Sequence, residues 1–282
     1  MVKIIYNDQI MDKNKVQIDI EDRGYQFGDG VYEVIRIYDG QLFTAEEHVT
    51  RFFSSAEKIK IVVPFQKEQL LRLIKQLINE NKVNNGSIYM QITRGASPRN
   101  HVFPSAETKP VLTAYTKVVE RPESALENGV EAIVADDIRW LRCDIKSLNL
   151  LPNLLAKQQA TEKGCYESIL HRDGTVTEGS SSNAYIIKDG KVKTHPATNL
   201  ILNGITRQVI ARLCDENQIP FYEEVFTVDE LLAADEVFIS STTSEVMPVI
   251  RVDGKLFSDG KPGQITRKLQ SLFLEEIKKM EK

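Results

Sequence analysis

The sequence predicts a two-domain α+β protein, on three observations. Short stretches of alternating apolar and polar residues recur in both halves of the chain, the pattern of strands that bury one face. Longer segments with apolar residues at helical spacing lie between them. A polar run from Lys117 to Ser124, containing Arg121-Pro122, breaks the pattern and reads as a connection, which divides the chain into residues 1–120 and 121–282. With 282 residues, 41% of them hydrophobic, the chain can bury a substantial core. Its net charge of -4 has both signs interspersed, so no basic stripe recommends a nucleic acid or a membrane surface as partner.

In the first part, Ile4–Gln9 and Lys15–Ile20 read as a hairpin, followed by the glycine- and charge-rich loop Glu21–Gly30. Val31–Tyr38 alternates as a strand, with Val31, Glu33, Ile35 and Ile37 on one side and Tyr32, Val34, Arg36 and Tyr38 on the other. Thr44-Ala45-Glu46-Glu47 is a capping-box pattern opening a helix that carries His48 and Arg51 one turn apart. A second amphipathic helix contains Leu70, Ile74 and Leu77 and stops at Asn84-Asn85-Gly86. The strand Ile88–Arg94 leads into the loop Gly95–Pro104, where Arg99 and His101 stand two residues apart as a candidate carboxylate clamp. The strand Val111–Thr116 closes this part.

In the second part, the strand Gly129–Asp136 precedes the stretch Ile138–Leu150, which holds Lys146. Read as extended, that stretch puts Leu141, Cys143 and Ile145 on one face and Trp140, Arg142, Asp144 and Lys146 on the other. Partial burial, with Arg139 and Arg142 nearby, would favour a neutral, nucleophilic amine at Lys146; pairing with Asp144 is the bland alternative. Pro152 and Gly164 punctuate a helix. Asp173-Gly174 and Asp189-Gly190 mark two hairpins, and Glu178 ends a strand before the hydroxyl-rich Ser180–Ser182. A carboxylate there suits a protonated ring nitrogen. Asn203-Gly204 enters a helix whose first N–H groups, those of Ile205 and Thr206, can hold an anion. Thr227-Val228-Asp229-Glu230 is a second capping box. Glu236–Ser240 is a strand running into Ser241-Thr242-Thr243-Ser244, a second candidate phosphate contact, and a helix closes the chain.

Several chemistries are excluded. The sequence has no dinucleotide glycine motif, no Walker loop, no zinc-protease histidine pair and no internal repeat. Ser55-Ala56-Glu57-Lys58 matches the Ser-x-x-Lys motif without its companion motifs. The cysteines, Cys143, Cys165 and Cys214, are three and unclustered, which fits reduced thiols and neither a disulfide framework nor a metal site. No apolar run is long enough for a signal peptide or a membrane span, so the expected address is cytoplasmic.

A reactive amine, a carboxylate, a helix-start anion site, an arginine and a hydroxyl loop together meet the needs of pyridoxal phosphate: aldehyde, ring nitrogen and phosphate. The stretches 21–33, 48–51, 93–101, 137–151, 177–183, 204–207 and 240–245 resemble the class IV pyridoxal-phosphate aminotransferases, specifically the D-specific members, over nearly the whole chain. The resemblance implies the fold type IV architecture, with a small N-terminal α/β domain and a larger C-terminal pseudo-barrel β domain with flanking helices that binds the cofactor. It implies Lys146 as the Schiff-base lysine and Glu178 as the partner of the ring nitrogen. Arg51, Ile205, Thr206, Ser241 and Thr242 would cradle the phosphate, and Tyr32, Arg99 and His101 would bind the substrate carboxylate. Arg99 and His101 would complete the site of a neighbouring subunit, which implies a homodimer. The implied reaction exchanges the amino group of a D-amino acid such as D-alanine with a 2-oxo acid such as 2-oxoglutarate, giving pyruvate and D-glutamate. A branched-chain L-transaminase and an aminodeoxychorismate lyase share this fold; the Arg99-Asn100-His101 loop favours the D-enzyme.

Overall fold

A computed structural model describes residues 2–280 as two compact units. The first comprises the chain up to Glu120 together with Ile145–Asn149. Its strands β1 (Lys3–Tyr6), β2 (Gln9–Asp12), β3 (Gly30–Tyr38), β4 (Gln41–Leu42), β5 (Gly86–Thr93) and β6 (Val111–Val118) form an antiparallel sheet ordered β2-β1-β6-β5-β3-β4. Its helices are α1 (Arg23–Phe27), α2 (Ala45–Lys58) and α3 (Lys67–Asn81). Val49, Phe52 and Ala56 of α2 and Leu70, Ile74 and Leu77 of α3 share one core with Val31, Ile35 and Ile37 of β3. Strand alternation then turns Tyr32, Val34 and Arg36 to the opposite face.

Three local expectations are corrected in this unit. The chain reverses at Asn7-Asp8 rather than after Gln9, because Asn7 adopts the left-handed conformation (φ 54°) and bonds Leu112 through both its N–H (2.8 Å) and its side-chain oxygen (3.0 Å). Residues 15–20 consequently lie outside the sheet. Thr44 does not cap α2: it has φ 51° and its hydroxyl donates to the Phe43 carbonyl (2.8 Å). A cap contributes about 1 kcal/mol, whereas burying Val49 and Phe52 contributes about 1.5–3 kcal/mol each, so the helix forms without it. The Lys146 stretch is not one extended strand either. Residues 141–144 form a turn region with Leu141 exposed, and 145–149 run beside the free part of the β3 edge. There the Tyr32 N–H donates to the Lys146 carbonyl (2.9 Å) and the Leu148 N–H to the Gly30 carbonyl (3.0 Å). Gly30 permits this approach, since a Cβ there would stand 2.5 Å from the Ile92 oxygen and 2.8 Å from Leu148 Cδ1.

The second unit, Arg121–Asp144 and Leu150–Lys282, contains β7 (Val130–Asp136), β8 (Glu167–Arg172), β9 (Thr175–Gly179), β10 (Asn183–Lys188), β11 (Lys191–Thr194), β12 (Phe221–Glu223), β13 (Glu236–Ser241), β14 (Glu245–Val252) and β15 (Lys255–Leu256). They make a mixed sheet ordered β12-β11-β10-β13-β14-β7-β8-β9, with β15 on β14, that curls as a half-barrel. Its helices are α4 (Glu123–Asn128), α5 (Leu151–Glu162), α6 (Ile205–Glu216), α7 (Val228–Leu232) and α8 (Gln264–Lys279). Here the local signals hold. Asp173-Gly174 and Asp189-Gly190 both take positive φ at the β8–β9 and β10–β11 turns, and Thr227 and Glu230 bond each other's backbone N–H groups at the start of α7.

Candidate active site

In the first unit, Lys146 is half-buried, with its Nζ 4.3 Å from the centre of the Tyr32 ring. Pairing to β3 fixes its backbone, and its N–H also donates to Ser55 Oγ of α2 (3.3 Å). The neighbouring charges are engaged elsewhere. Arg142 forks on Asp144 (2.9 and 3.2 Å), and Arg139 bonds Asp137 and Glu178, so neither the simple Lys146–Asp144 pair nor bare guanidinium charges describe this stretch. Tyr32 stacks on Tyr89, which stacks on Tyr115 (centroids 5.7 and 5.2 Å).

Arg51 forks on Glu33 through Nε (2.9 Å) and Nη2 (2.8 Å), and His48 Nδ1 lies 3.0 Å from the same carboxylate. Glu33 is fully buried; burial works to raise its pKa, but the Arg51 charge and His48 hold it well below the usual carboxylate range. Burial pushes His48 down. Sequence reasoning assigns no role to Glu33 or His48. The available signal is an acid inside the apolar stripe Val31, Ile35, Ile37, where a carboxylate requires a partner.

The loop carrying Arg99 and His101 is exposed but anchored. Both side chains sit on Phe27, the Arg99 guanidinium 4.3 Å and the His101 ring 5.7 Å from its centre. Arg23 donates to the Asn100 carbonyl (2.6 Å) and, with Arg94, to Asp29 (2.8 Å each). The loop thus brings Arg99 and His101 together, while the ring contacts of Tyr32 are with Tyr89 and Lys146.

In the second unit, Glu178 ends β9 and is buried. It accepts from Arg139 on Oε1 and from Asn183 Nδ2 (2.9 Å) and the Leu202 N–H (3.0 Å) on Oε2. Burial pushes its pKa up, against the pull of Arg139. Arg139 also forks on Asp137 (2.9 and 2.8 Å); burial opposes ionisation of Asp137, but this guanidinium and the Thr177 hydroxyl hold its pKa at about 2. A carboxylate offers about four lone-pair positions, and three donors leave one on Glu178 for a protonated ring nitrogen. Ile205 and Thr206 open α6, whose start at Gly204 has no side-chain cap. A Cβ at Gly204 would stand 2.2 Å from Asn183 Oδ1, so glycine keeps the helix entry close to the residue that holds Glu178. Ser241 and Thr242 are half-buried at the β13–β14 turn; Ser241 Oγ accepts from the Ser244 N–H (3.1 Å), which leaves its proton to donate. The Ser180–Ser182 hydroxyls, in contrast, all turn to the buried Glu167.

A buried acceptor for a cationic ring, an uncapped helix start and an accessible lysine amine mark an enzyme that works through covalent amine chemistry. Residues 30–252 match the family model described as Amino-transferase class IV, and the chain belongs to that family. It is 54% identical over 277 residues to the D-alanine aminotransferase of Staphylococcus epidermidis, covering 98% of each chain. Among solved structures it resembles the Escherichia coli branched-chain amino acid aminotransferase (TM-score 0.91, 28% identity, 97% of this chain and 93% of that one). It also resembles the branched-chain amino acid aminotransferase of T.th. complexed with N-(5'-phosphopyridoxyl)-L-glutamate (TM-score 0.88, 26% identity, 97% and 93% covered).

Proposed function

We propose that this chain is a pyridoxal-phosphate-dependent aminotransferase exchanging the amino group of a D-amino acid such as D-alanine with a 2-oxo acid such as 2-oxoglutarate, giving pyruvate and D-glutamate. The observation that carries the cofactor is Glu178, a buried carboxylate held by three donors with one lone-pair position to spare. The D-substrates rest on the likeness to the staphylococcal D-alanine aminotransferase. When bound, the cofactor supplies an aldehyde that takes amines covalently and a protonated ring that draws electrons from the substrate's α-carbon.

The residues divide that work. Lys146 Nζ holds the aldehyde end and, released by the incoming amine, moves the proton at the substrate's α-carbon. Glu178 keeps the proton on the ring nitrogen. The N–H groups of Ile205 and Thr206, the Ser241 and Thr242 hydroxyls and the Arg51 guanidinium hold the phosphate, with Glu33 fixing Arg51 in orientation. Tyr32, Arg99 and His101 bind the substrate's α-carboxylate. We assign a homodimer in which Arg99 and His101 serve the partner's site, supported by the exposure of their loop at Val102 (71%) and Phe103 (52%), and a cytoplasmic address. Among the described residues no helix is long and apolar enough to cross a membrane.

The test is twofold. Borohydride reduction after incubation with pyridoxal phosphate should add one cofactor mass to wild type and none to Lys146→Ala, and D-alanine with 2-oxoglutarate should release pyruvate where L-leucine does not react. A wild-type chain that traps nothing, or that prefers L-leucine, ends this reading.

A further inference from the structure

Arg36 is 1% exposed, and none of its three guanidinium nitrogens has a hydrogen-bond partner. A buried guanidinium without an acceptor is strongly unfavourable, so its persistence asks what acceptor the chain does not supply. The strand register narrows the answer. Arg36 pairs across β5 with Ser87 and, one strand further, with Lys117, a row with two cations and no acid. The parallel rows on the same face, Val34–Tyr89–Tyr115 and Tyr32–Gln91–Thr113, contain no acid either. Glu33 points to the other face and is held by Arg51 and His48. The nearest aromatic contact, the Tyr38 ring at 5.2 Å, offers only a cation–π attraction, weaker than a charge-assisted pair.

The same face carries Tyr32 and, against its ring, the Lys146 amine. From Tyr32 to Arg36 the strand advances roughly 13 Å, at about 3.3 Å per residue, with the apolar Val34 midway. An acid, an apolar spacer and a second acid is the chemistry of a dicarboxylic substrate. We propose that Arg36 binds the side-chain carboxylate of dicarboxylic D-amino acids and 2-oxo acids such as D-glutamate and 2-oxoglutarate, with Val34 against the intervening methylenes. This rests on the transamination proposed above and makes Arg36 the residue that admits dicarboxylates beside D-alanine. A carboxylate draws the guanidinium from Tyr38 into a fork of two charge-assisted bonds, and D-alanine, lacking that group, makes no such demand.

The experiment compares 2-oxoglutarate with 2-oxobutyrate as acceptors from D-alanine in wild type, Arg36→Met and Arg36→Lys. The ratio of kcat/KM values, 2-oxoglutarate over 2-oxobutyrate, should fall roughly 10- to 150-fold in Arg36→Met, the range for losing a charged hydrogen-bonded pair. Arg36→Lys should recover part of it, having the charge without the fork. The melting temperature of Arg36→Met should match or exceed that of wild type, because no internal bond is lost. An equal fall on both acceptors, an unchanged ratio, or a variant that no longer folds overturns the inference. Should wild type transaminate neither acceptor, the proposed function fails, and calorimetric binding of glutarate against butyrate still decides on Arg36: a wild-type preference for glutarate that Arg36→Met erases supports it, and the same preference in both proteins refutes it.

Discussion

Arg139→Met is the sharpest test of how the second unit holds its carboxylate. Arg139 is buried and donates to Asp137 twice, to Glu178 and to the Leu200 carbonyl (3.2 Å). Methionine fills much of the volume but removes the charge between two buried acids. Breaking a buried ion pair from one side costs about 3–5 kcal/mol. Arg172 still reaches Asp137 (3.1 Å), and Asn183 and Leu202 still reach Glu178, so the lower end applies. At roughly 2–4 °C per kcal/mol for a domain of this size, about 3 kcal/mol lowers the melting temperature by roughly 6–12 °C. The pH dependence follows from Asp137. Its pKa is lowered from 3.8 to about 2 in the folded protein, so its contribution is present above the unfolded value and lost as pH falls through the folded one. In Arg139→Met that acid-side loss begins at higher pH, and Glu178, freed of its cation, takes up a proton more readily still. Calorimetric melts from about pH 7 down to about pH 3 measure both effects. Arg139→Lys should fall between, since an ammonium cannot fork on Asp137. A melting temperature for Arg139→Met within about 2 °C of wild type across that range would refute the reasoning.

Three further expectations can be checked on the same preparations. Burial lowers the pKa of His48 from 6.5, so the unfolded chain binds the extra proton and stability should be lost as pH falls below about 6.5; denaturant titrations should show this component reduced in His48→Gln. Gly204→Ala places a Cβ 2.2 Å from Asn183 Oδ1, a clash costing about 1–3 kcal/mol that disturbs Glu178, so spectroscopic titration should find weaker pyridoxal phosphate binding. Phe27→Ala removes the ring under Arg99 and His101, contacts worth about 0.5–1 kcal/mol at exposed sites, and should raise KM for D-alanine roughly two- to fivefold with little change in kcat.

What could be read from the sequence was what short-range physics decides. The Asp-Gly turns, the Thr227–Glu230 box and the alternation of β3 each depend on residues a few positions apart, and the structure has all of them. Thr44 shows the limit of that reading: its motif is intact, but burial of the α2 face outweighs a cap, so the local signal is overruled. Residues 145–149 were legible as a reactive stretch but not as part of the first unit, because their placement depends on an unpaired edge of β3 and on contacts such as Lys146 to Ser55, 91 residues away. Arg139 likewise looked like a neighbouring charge; its partner Glu178 stands 39 residues further on, and only the fold brings the two together. Glu33 and Arg36 followed a rule that needed no structure. A charged side chain on a strand that reads as buried must find a counter-charge, and the sequence shows the charge without showing its partner. For Glu33 the fold supplies that partner from α2. For Arg36 the chain supplies none, and that difference between two residues three apart on one strand separates a side chain whose partner is the protein from one whose partner is its substrate.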